Sequence, residues 1–314
     1  MEYRKLGSAG LKVSVVGIGC NNFGMRMDQA ATTAVVDAAI AAGINFFDTA
    51  DVYGASKSET MLGQALAGRR HDVVIATKFG GPMGEGPLHR GGARRHVVAA
   101  AEASLLRLGT DYIDLYQQHF PDQDTTVEET LRALEDLVRS GKVRYLGNSN
   151  YSGWQIADAD WTARAAGVSR FVTAQNNYSL IDRRMEREVL PACERFGLGL
   201  LPYFPLASGL LTGKYSRDVA PPPGTRLAAA GALAARALND RNFVIVEALT
   251  AYAAQHDKSL LSLAFAWLLA RPAISSVIAG ATRAEQVAAN AAAADWQLTP
   301  DQARQIADLA PISG

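Results

Sequence analysis

Residues 127–149, VEETLRALEDLVRSGKVRYLGNS, contain the structural unit that decides the fold of this chain. Four aliphatic side chains recur three and four positions apart, as on one face of an amphipathic helix: Val127, Leu131, Leu134 and Val138. Thr126 and Glu129 have the spacing of a capping box at the helix start, and Gly141 is a glycine of the kind that ends helices. An apolar run over 143–148 follows, so the stretch predicts a helix, a glycine stop and a strand.

The same order of helix, glycine and strand recurs along the whole chain. Gly43, Gly109, Gly167 and Gly197 each close a helical stretch just before an apolar run. Eight such runs are predicted as strands: 13–19, 45–48, 73–78, 113–117, 143–148, 173–176, 198–203 and 275–279. Strands that alternate with helices in this way favour a closed (β/α)8 TIM barrel over an open doubly wound sheet.

Two segments fall outside this repeat. Residues 3–6 and 12–14 predict an N-terminal β-hairpin that precedes the barrel. Residues 207–240, after the seventh strand, are too long for an ordinary connection and include the run PPPG at 221–224. Long loops of this kind commonly cover a ligand, so we predict a lid. No shift in composition marks a linker, and residues 1–314 are expected to form a single barrel domain.

Composition narrows the classes of function. The 314 residues include 31 Lys and Arg against 31 Asp and Glu, so the formal net charge is zero. Neither nucleic acid nor a membrane surface is therefore expected as a partner. Cys20 and Cys193 have no Cys or His neighbours at metal-ligand spacing, so no metal is expected. The first residues do not read as a secretion signal and no apolar run is long enough to span a bilayer, which favours a cytoplasmic protein.

The common cofactor and hydrolase motifs are missing. Gly17, Gly19 and Gly24 lie at the first strand but lack the G-x-G-x-x-G spacing of a Rossmann dinucleotide-binding unit. Residues 209–214 are one position short of a Walker A loop. Neither H-E-x-x-H nor G-x-S-x-G occurs, so zinc proteases and serine hydrolases have no local support.

Four titratable residues lie at the ends of three successive predicted strands. Asp48 and Tyr53 follow the second strand, Lys78 ends the third, and His119 follows the fourth. Because the carboxyl ends of barrel strands meet at one mouth, these side chains are expected to converge there. An ammonium stabilises a phenolate, so Lys78 is expected to lower the pKa of Tyr53. With Asp48 positioning Lys78 and a neutral His119 orienting a carbonyl oxygen, the set describes an acid for carbonyl reduction.

Seven stretches in a fixed order carry a family likeness. They read GINFFDTADVYG (43–54), ATKFG (76–80), YIDLYQQH (112–119), VRYLGNSN (143–150), AQNNYSL (174–180), YFPLASGLLTGKY (203–215) and VIAGATRAEQVAAN (277–290). In these stretches, which cover nearly the whole chain, the sequence resembles the aldo-keto reductases. The likeness is greatest to their bacterial and potassium-channel β-subunit-like branches.

This resemblance implies an enzyme that reduces an aldehyde or ketone reversibly, with hydride passing from the nicotinamide of NADPH to the carbonyl carbon. It implies a catalytic tetrad of Asp48, Tyr53, Lys78 and His119, in which Tyr53 is general acid in reduction and general base in oxidation. In the family, NADP(H) binds in an extended form across the barrel mouth, which accounts for the missing Rossmann motif.

The resemblance also implies the residues that hold the cofactor. Ser149, Asn150 and Gln175 would bind the carboxamide, and Tyr203 would stack on the nicotinamide ring. The phosphates would lie near Leu206, Gly209, Leu211, Lys214, Gly280, Arg283, Gln286 and Asn290, with Arg283 facing the 2′-phosphate. Many relatives carry Glu where this chain has Ala289, so use of NADH stays open beside NADPH.

The substrate is predicted only as a small-molecule carbonyl compound. Six side chains near strand ends, two of them members of the tetrad, are expected to line the mouth of the substrate pocket: Phe23, Met25, Tyr53, His119, Phe120 and Trp154. Two other functions stay open, namely a nicotinamide-binding redox-sensing regulatory subunit that acts through a protein partner, and an isomerase or lyase that uses Lys78 as a Schiff base. The oligomeric state is open as well.

Overall fold

In the computed structural model the chain begins with an antiparallel hairpin of two strands, β1 (Tyr3–Lys5) and β2 (Lys12–Ser14). Leu6 and Val13 pack with apolar side chains from the interior of the barrel that follows. Ser275 precedes the last barrel strand, and its Oγ donates to the backbone of β1 at 2.7 Å. The hairpin therefore covers the amino ends of the barrel strands, and the predicted N-terminal addition is confirmed.

The barrel is a curled sheet of eight parallel strands that neighbour one another in chain order. The strands are β3 (Val16–Gly19), β4 (Phe46–Asp48), β5 (Val74–Phe79), β6 (Ile113–Gln118), β7 (Val143–Ser149), β8 (Phe171–Gln175), β9 (Gly199–Leu200) and β10 (Val277–Ala279). β10 pairs with β3, and Leu200 bonds to Ala273 and Ser275 through backbone groups at 2.7 and 3.0 Å, which joins the remaining edges. The predicted (β/α)8 TIM barrel is confirmed.

Helices surround the sheet in the described residues, 1–228 and 231–312. They are α1 (Gln29–Ala41), α2 (Lys57–Ala65), α3 (Arg94–Leu108), α4 (Val127–Arg139), α5 (Gly153–Ala166), α6 (Val189–Phe196), α7 (Gly231–Ala237), α8 (Asp240–Ala254), α9 (Leu260–Leu269), α10 (Ala284–Ala293) and α11 (Pro300–Leu309). In that part of the chain, no helix has both the length and the apolar character needed to cross a membrane. Apolar side chains between the helices and the sheet form the main core.

The helix, glycine and strand predicted over residues 127–149 are largely confirmed. Thr126 caps α4, since its side chain accepts from the backbone N–H of Glu129 at 3.3 Å. The capping box is wrong in one half, because the Glu129 carboxylate accepts from the backbone N–H of Arg94 instead. The neighbouring helix start competes for the same acceptor.

Three predicted strands are shorter in the structure by two or more residues. The first splits because Val13 pairs with Arg4 in the hairpin, so the barrel strand begins only at Val16. The seventh and eighth shorten to β9 and β10, because isolated bridges rather than a continuous ladder join the sheet there. That residues 1–314 form one domain stays a prediction.

Candidate active site

A cavity of about 820 Å³ opens at the carboxyl ends of the barrel strands. Asp48, Tyr53 and His119 line it, and Lys78 lies fully buried behind Tyr53. The volume is within the usual range for a site that holds a cofactor or small molecule. The fold therefore brings these four residues together at one mouth, as the sequence predicted.

Lys78 is held under the cavity by three partners. Its Nζ lies 2.6 Å from Asp48 Oδ2 and donates to the backbone oxygen of Thr49 at 2.8 Å. The third partner is the Tyr53 hydroxyl, 3.4 Å away. An ammonium has three donors, so this arrangement uses all of them and points one toward the phenol.

Asp48 is itself fixed from the opposite side. Gln117 and Gln175 donate to its Oδ1 from their side-chain amides at 3.1 and 2.8 Å, while Lys78 holds Oδ2. All of these groups are buried, where hydrogen bonds to a carboxylate are strong. The prediction did not include Gln117, whose role depends on the pairing of β6 beside β5.

Burial decides the ionisation of the Tyr53–Lys78 pair. Burial raises the pKa of Tyr53 above its ordinary value of 10.0, and the attraction of Lys78 offsets this only in part. Lys78 thus lowers the pKa of the phenol as expected, but burial outweighs this effect and the net shift is upward. Burial alone would lower the pKa of Lys78, but Asp48 and then Tyr53 raise it above 10.5, so Lys78 stays an ammonium. At neutral pH Tyr53 keeps its proton beside a fixed positive charge.

His119 is a neutral imidazole at the cavity wall. Burial, and next the charge of Lys78, lower its pKa from 6.5 to about 3. Its ring lies edge-on to Tyr53 at 5.8 Å between centroids and stacks on Phe120 at 4.5 Å. Within the described residues, Nδ1 has no hydrogen-bond partner. The ring is held by packing and can act as a hydrogen-bonding group but not as a cation.

We expect His119 to remain neutral from pH 5 to pH 8. Its depressed pKa places the titration far below this window, whereas an ordinary histidine titrates inside it. Nitrogen-15 NMR of the five histidines, with His119→Gln used to assign the signal, measures this directly. A His119 signal that titrates near pH 6.5 would contradict the expected environment.

The residues predicted to hold a carboxamide lie together on the cavity wall: Ser149, Asn150, Gln175 and Tyr203. Ser149 Oγ donates to the backbone oxygen of Gln175 at 2.9 Å, and the Tyr203 hydroxyl donates to Asn150 Oδ1 at 2.7 Å. The Gln175 amide nitrogen is engaged by Asp48. A flat amide-bearing ring would therefore meet prearranged side chains.

Seven of the eight residues predicted near the phosphates line the cavity: Leu206, Gly209, Lys214, Gly280, Arg283, Gln286 and Asn290. Leu211 does not, because its side chain is fully buried in the main core. Lys214 and Arg283 form no carboxylate pair within residues 1–228 and 231–312. Gly209 has φ +95°, and a Cβ at this position would lie 2.9 Å from the Lys214 ammonium. Unpaired cations beside a glycine that leaves room for them fit a phosphate ligand.

The prediction of the substrate mouth is wrong for three side chains. Phe23 is fully buried in the main core, and Met25 and Trp154 are 61% and 66% exposed without lining the cavity. Phe120 does line it and is 49% exposed. Position near a strand end does not determine the direction of a side chain, either in an irregular loop or, for Trp154, in the first turn of α5.

Two cationic residues of the cavity wall were not predicted from the sequence. Arg26 comes from the loop after β3, and Arg226 comes from the predicted lid, where it lies 5.3 Å from the ring centroid of Phe204. Burial, and next the charge of Arg26, lower the pKa of Arg226. These residues follow no periodic pattern, so the sequence offers no signal for them. The predicted lid is thus present over the mouth, apart from residues 229–230, which lie outside the described residues.

Backbone strain is concentrated around the same cavity. Of the eight non-glycine residues with positive φ in the described chain, six lie in loops at the mouth: Ala55, Ser56, Asn150, Phe204, Ala207 and Ser208. Left-handed conformations cost energy in residues with a side chain and persist where the surrounding structure imposes them. The loops that carry the candidate residues are therefore rigidly specified.

The chain is similar to known proteins over nearly its full length. The model of the Aldo/keto reductase family matches residues 15–311. A probable voltage-gated potassium channel subunit beta from Oryza sativa subsp. japonica is 40% identical, over 96% of this chain and 94% of the relative. An uncharacterized oxidoreductase of Bacillus subtilis is 37% identical, over 100% of this chain and 97% of the relative.

A further relative has a named activity. The L-glyceraldehyde 3-phosphate reductase of Escherichia coli strain K12 is 33% identical, over 92% of this chain and 86% of the relative. The extent of the family match, together with the barrel and its mouth cavity, leads to one conclusion. The chain belongs to the aldo/keto reductase family and is an NAD(P)H-dependent oxidoreductase.

Proposed function

We propose that the protein reduces an aldehyde or ketone to an alcohol with NADPH, reversibly, and that Tyr53 is the acid. One observation carries the proposal. The Tyr53 hydroxyl faces the cavity and lies 3.4 Å from the Lys78 ammonium, which Asp48 holds from below at 2.6 Å. A phenol beside a permanent positive charge is suited to give up a proton at the moment a carbonyl oxygen becomes negative.

The chemistry divides among the four side chains. NADPH, when bound, supplies the hydride that adds to the carbonyl carbon. The Tyr53 hydroxyl donates its proton to the carbonyl oxygen, which becomes the alcohol oxygen, and Lys78 stabilises the remaining phenolate. Neutral His119 orients the carbonyl oxygen by hydrogen bonding. In oxidation the Tyr53 phenolate takes the proton from the alcohol.

The preference for NADPH over NADH rests on positive charge at the cavity wall. Lys214, Arg283 and Arg226 line it, and the N-terminal end of α10, which follows Arg283, carries no side-chain cap. Free backbone N–H groups and guanidinium groups bind phosphates well. Ala289 offers no side-chain contact to an adenine amino group, so affinity for the cofactor depends more on these charges.

Arg283→Ala should weaken NADPH binding about tenfold to 100-fold and NADH binding less than about twofold. A charge-assisted hydrogen bond contributes about 1.5–3 kcal/mol, and only NADPH carries the 2′-phosphate that receives it. Titration of protein fluorescence with each cofactor measures both dissociation constants. Arg304→Ala is the matched control, because Arg304 is 75% exposed on α11 and pairs with Asp301. Equal weakening of NADPH and NADH binding would show that Arg283 does not bind the 2′-phosphate.

The proposed reaction is tested by NADPH consumption across aromatic, aliphatic, sugar and dicarbonyl compounds. A phosphorylated aldehyde is included because one relative is named for such a substrate. Turnover that disappears in Tyr53→Phe supports the proposal, and turnover that persists in this variant contradicts the assigned acid.

A second candidate function is a redox-sensing regulatory subunit that binds the nicotinamide cofactor and acts through a protein partner. The similarity to a probable potassium channel subunit beta favours it. Cofactor binding without turnover, together with a partner that copurifies stoichiometrically, would support this alternative. The Schiff-base alternative is disfavoured, since Lys78 is fully buried and its Nζ is occupied by three partners.

A further inference from the structure

Asp51 is a carboxyl group buried behind the candidate catalytic residues, between Asp48 and Tyr53 in the chain. Its side chain is fully buried, and in the described part of the chain neither carboxyl oxygen has a hydrogen bond of good geometry; the backbone N–H of Val52 is close enough only to offset part of the effect of burial. A buried carboxylate without a partner is strongly unfavourable, and groups so placed retain a proton instead. The mechanism proposed above makes no use of this group.

The surroundings of Asp51 contain no spare positive charge. Four packed elements bring titratable groups near it: Glu59 on α2, Arg107 on α3, Lys78 on β5 and Tyr116 on β6. Arg107 Nε donates to Glu59 Oε2 at 2.6 Å, and Lys78 is paired with Asp48. Each nearby cation is thus already neutralised by another carboxylate. An ionised Asp51 would be the unmatched charge in this cluster.

Asp51 is also tied to the segment that sets the Tyr53–Lys78 contact. Its backbone N–H donates to the Lys78 carbonyl oxygen at 3.3 Å, and Ser56 Oγ donates to the Asp51 carbonyl oxygen at 2.9 Å. Lys78 Nζ in turn donates to the backbone of Thr49 at 2.8 Å. A displacement of Asp51 would therefore shift the loop that carries Tyr53 relative to Lys78.

We infer that Asp51 is a positioning residue for the proposed reduction, and that it must stay a neutral acid to hold Tyr53 against Lys78. This inference rests on the proposed function. Burial, and next the charge of Glu59, raise the pKa of Asp51 from 3.8 to about 7, with only partial opposition from its surroundings. Once ionised, the carboxylate regains solvation only by moving toward water, and the loop moves with it.

Asp51→Asn tests the inference, because the amide has nearly the shape of the neutral acid and does not ionise. Single-turnover reduction rates are measured from pH 6 to pH 8 at saturating NADPH. A group with a pKa of about 7 falls from about nine-tenths to about one-tenth protonated over this range, so the wild-type rate should fall about tenfold. Asp51→Asn should keep its pH 6 rate at pH 8. Asp37→Asn removes an exposed carboxylate and should retain the wild-type fall.

Thermal unfolding gives a second readout that needs no turnover. The folded pKa of Asp51 lies above its ordinary value, so the stability present at low pH is lost as the pH rises from about 4 to about 7. Asp51→Asn lacks this loss. Its advantage in Tm over the wild type should therefore grow between pH 5 and pH 8.

Several outcomes would overturn the inference. If the rate falls equally with pH in the wild type and in Asp51→Asn, Asp51 is not a positioning residue. The same conclusion follows if Asp51→Asn folds but is inactive at pH 6. A Tm difference that does not change with pH shows that Asp51 is not held neutral. If the wild type reduces no carbonyl compound, both the proposed function and the positioning role are wrong. The Tm series still shows in that case whether Asp51 is held neutral in the folded protein.

Discussion

Replacing Tyr53 with Phe should lower the rate of carbonyl reduction at least about 100-fold, while NADPH binding stays within about twofold. The variant removes one oxygen atom, the cavity-lining hydroxyl that lies 3.4 Å from Lys78 Nζ. Loss of a general acid costs about 10² to 10⁴ in rate, so a factor of 100 corresponds to about 3 kcal/mol in the barrier. Because the aromatic ring remains, packing against His119 should be retained.

The measurement compares single-turnover rates and cofactor affinity in the same preparation. Tyr112→Phe is the matched control, since its hydroxyl bonds to His71 in an exposed position away from the cavity. That variant should reduce carbonyl compounds at the wild-type rate. A Tyr53→Phe protein that keeps its rate within a few-fold would assign the proton to another group, and weakened cofactor binding of equal size would make Tyr53 a binding residue instead.

The barrel was predictable because its signals are local and repeated. The stripe of α4, its Thr126 cap and the glycine after the helix each follow from side-chain spacing that any amphipathic helix obeys. The same repeat places Asp48, Lys78 and His119 at strand ends, and parallel strands then bring them to one mouth. Their convergence needed no knowledge of loop conformation.

What the sequence left undetermined depends on contacts between distant segments. Gln117 donates to Asp48 across the pairing of β6, β5 and β4, which no local pattern encodes. Phe23 lies in an irregular turn, and its ring enters the core instead of the predicted mouth. Lys78 lowers the pKa of Tyr53 as predicted, but the net shift is upward because burial dominates, and the extent of burial is a property of the whole fold.

Removing the carboxylate of Asp48 should destabilise the protein as well as inactivate it. Asp48→Ala leaves the Lys78 ammonium fully buried with no anionic partner, and two glutamine amides lose their acceptor. Breaking a buried ion pair from one side costs about 3–5 kcal/mol, because the remaining charge is unpaired and desolvated. We expect a loss of this size in the free energy of unfolding, measured in urea.

The double variant Asp48→Ala with Lys78→Met separates an unpaired charge from a general loss of packing. With both charges gone, most of the lost stability should return, since the cost lies in the stranded ammonium and not in the pair itself. Glu102→Ala is the matched control, because Glu102 pairs with Lys142 where both side chains are at least 40% exposed, and it should cost about 0–1 kcal/mol. A double variant as unstable as Asp48→Ala would mean that hydrogen bonding to the glutamines, and not the charge of Lys78, makes Asp48 essential to the fold.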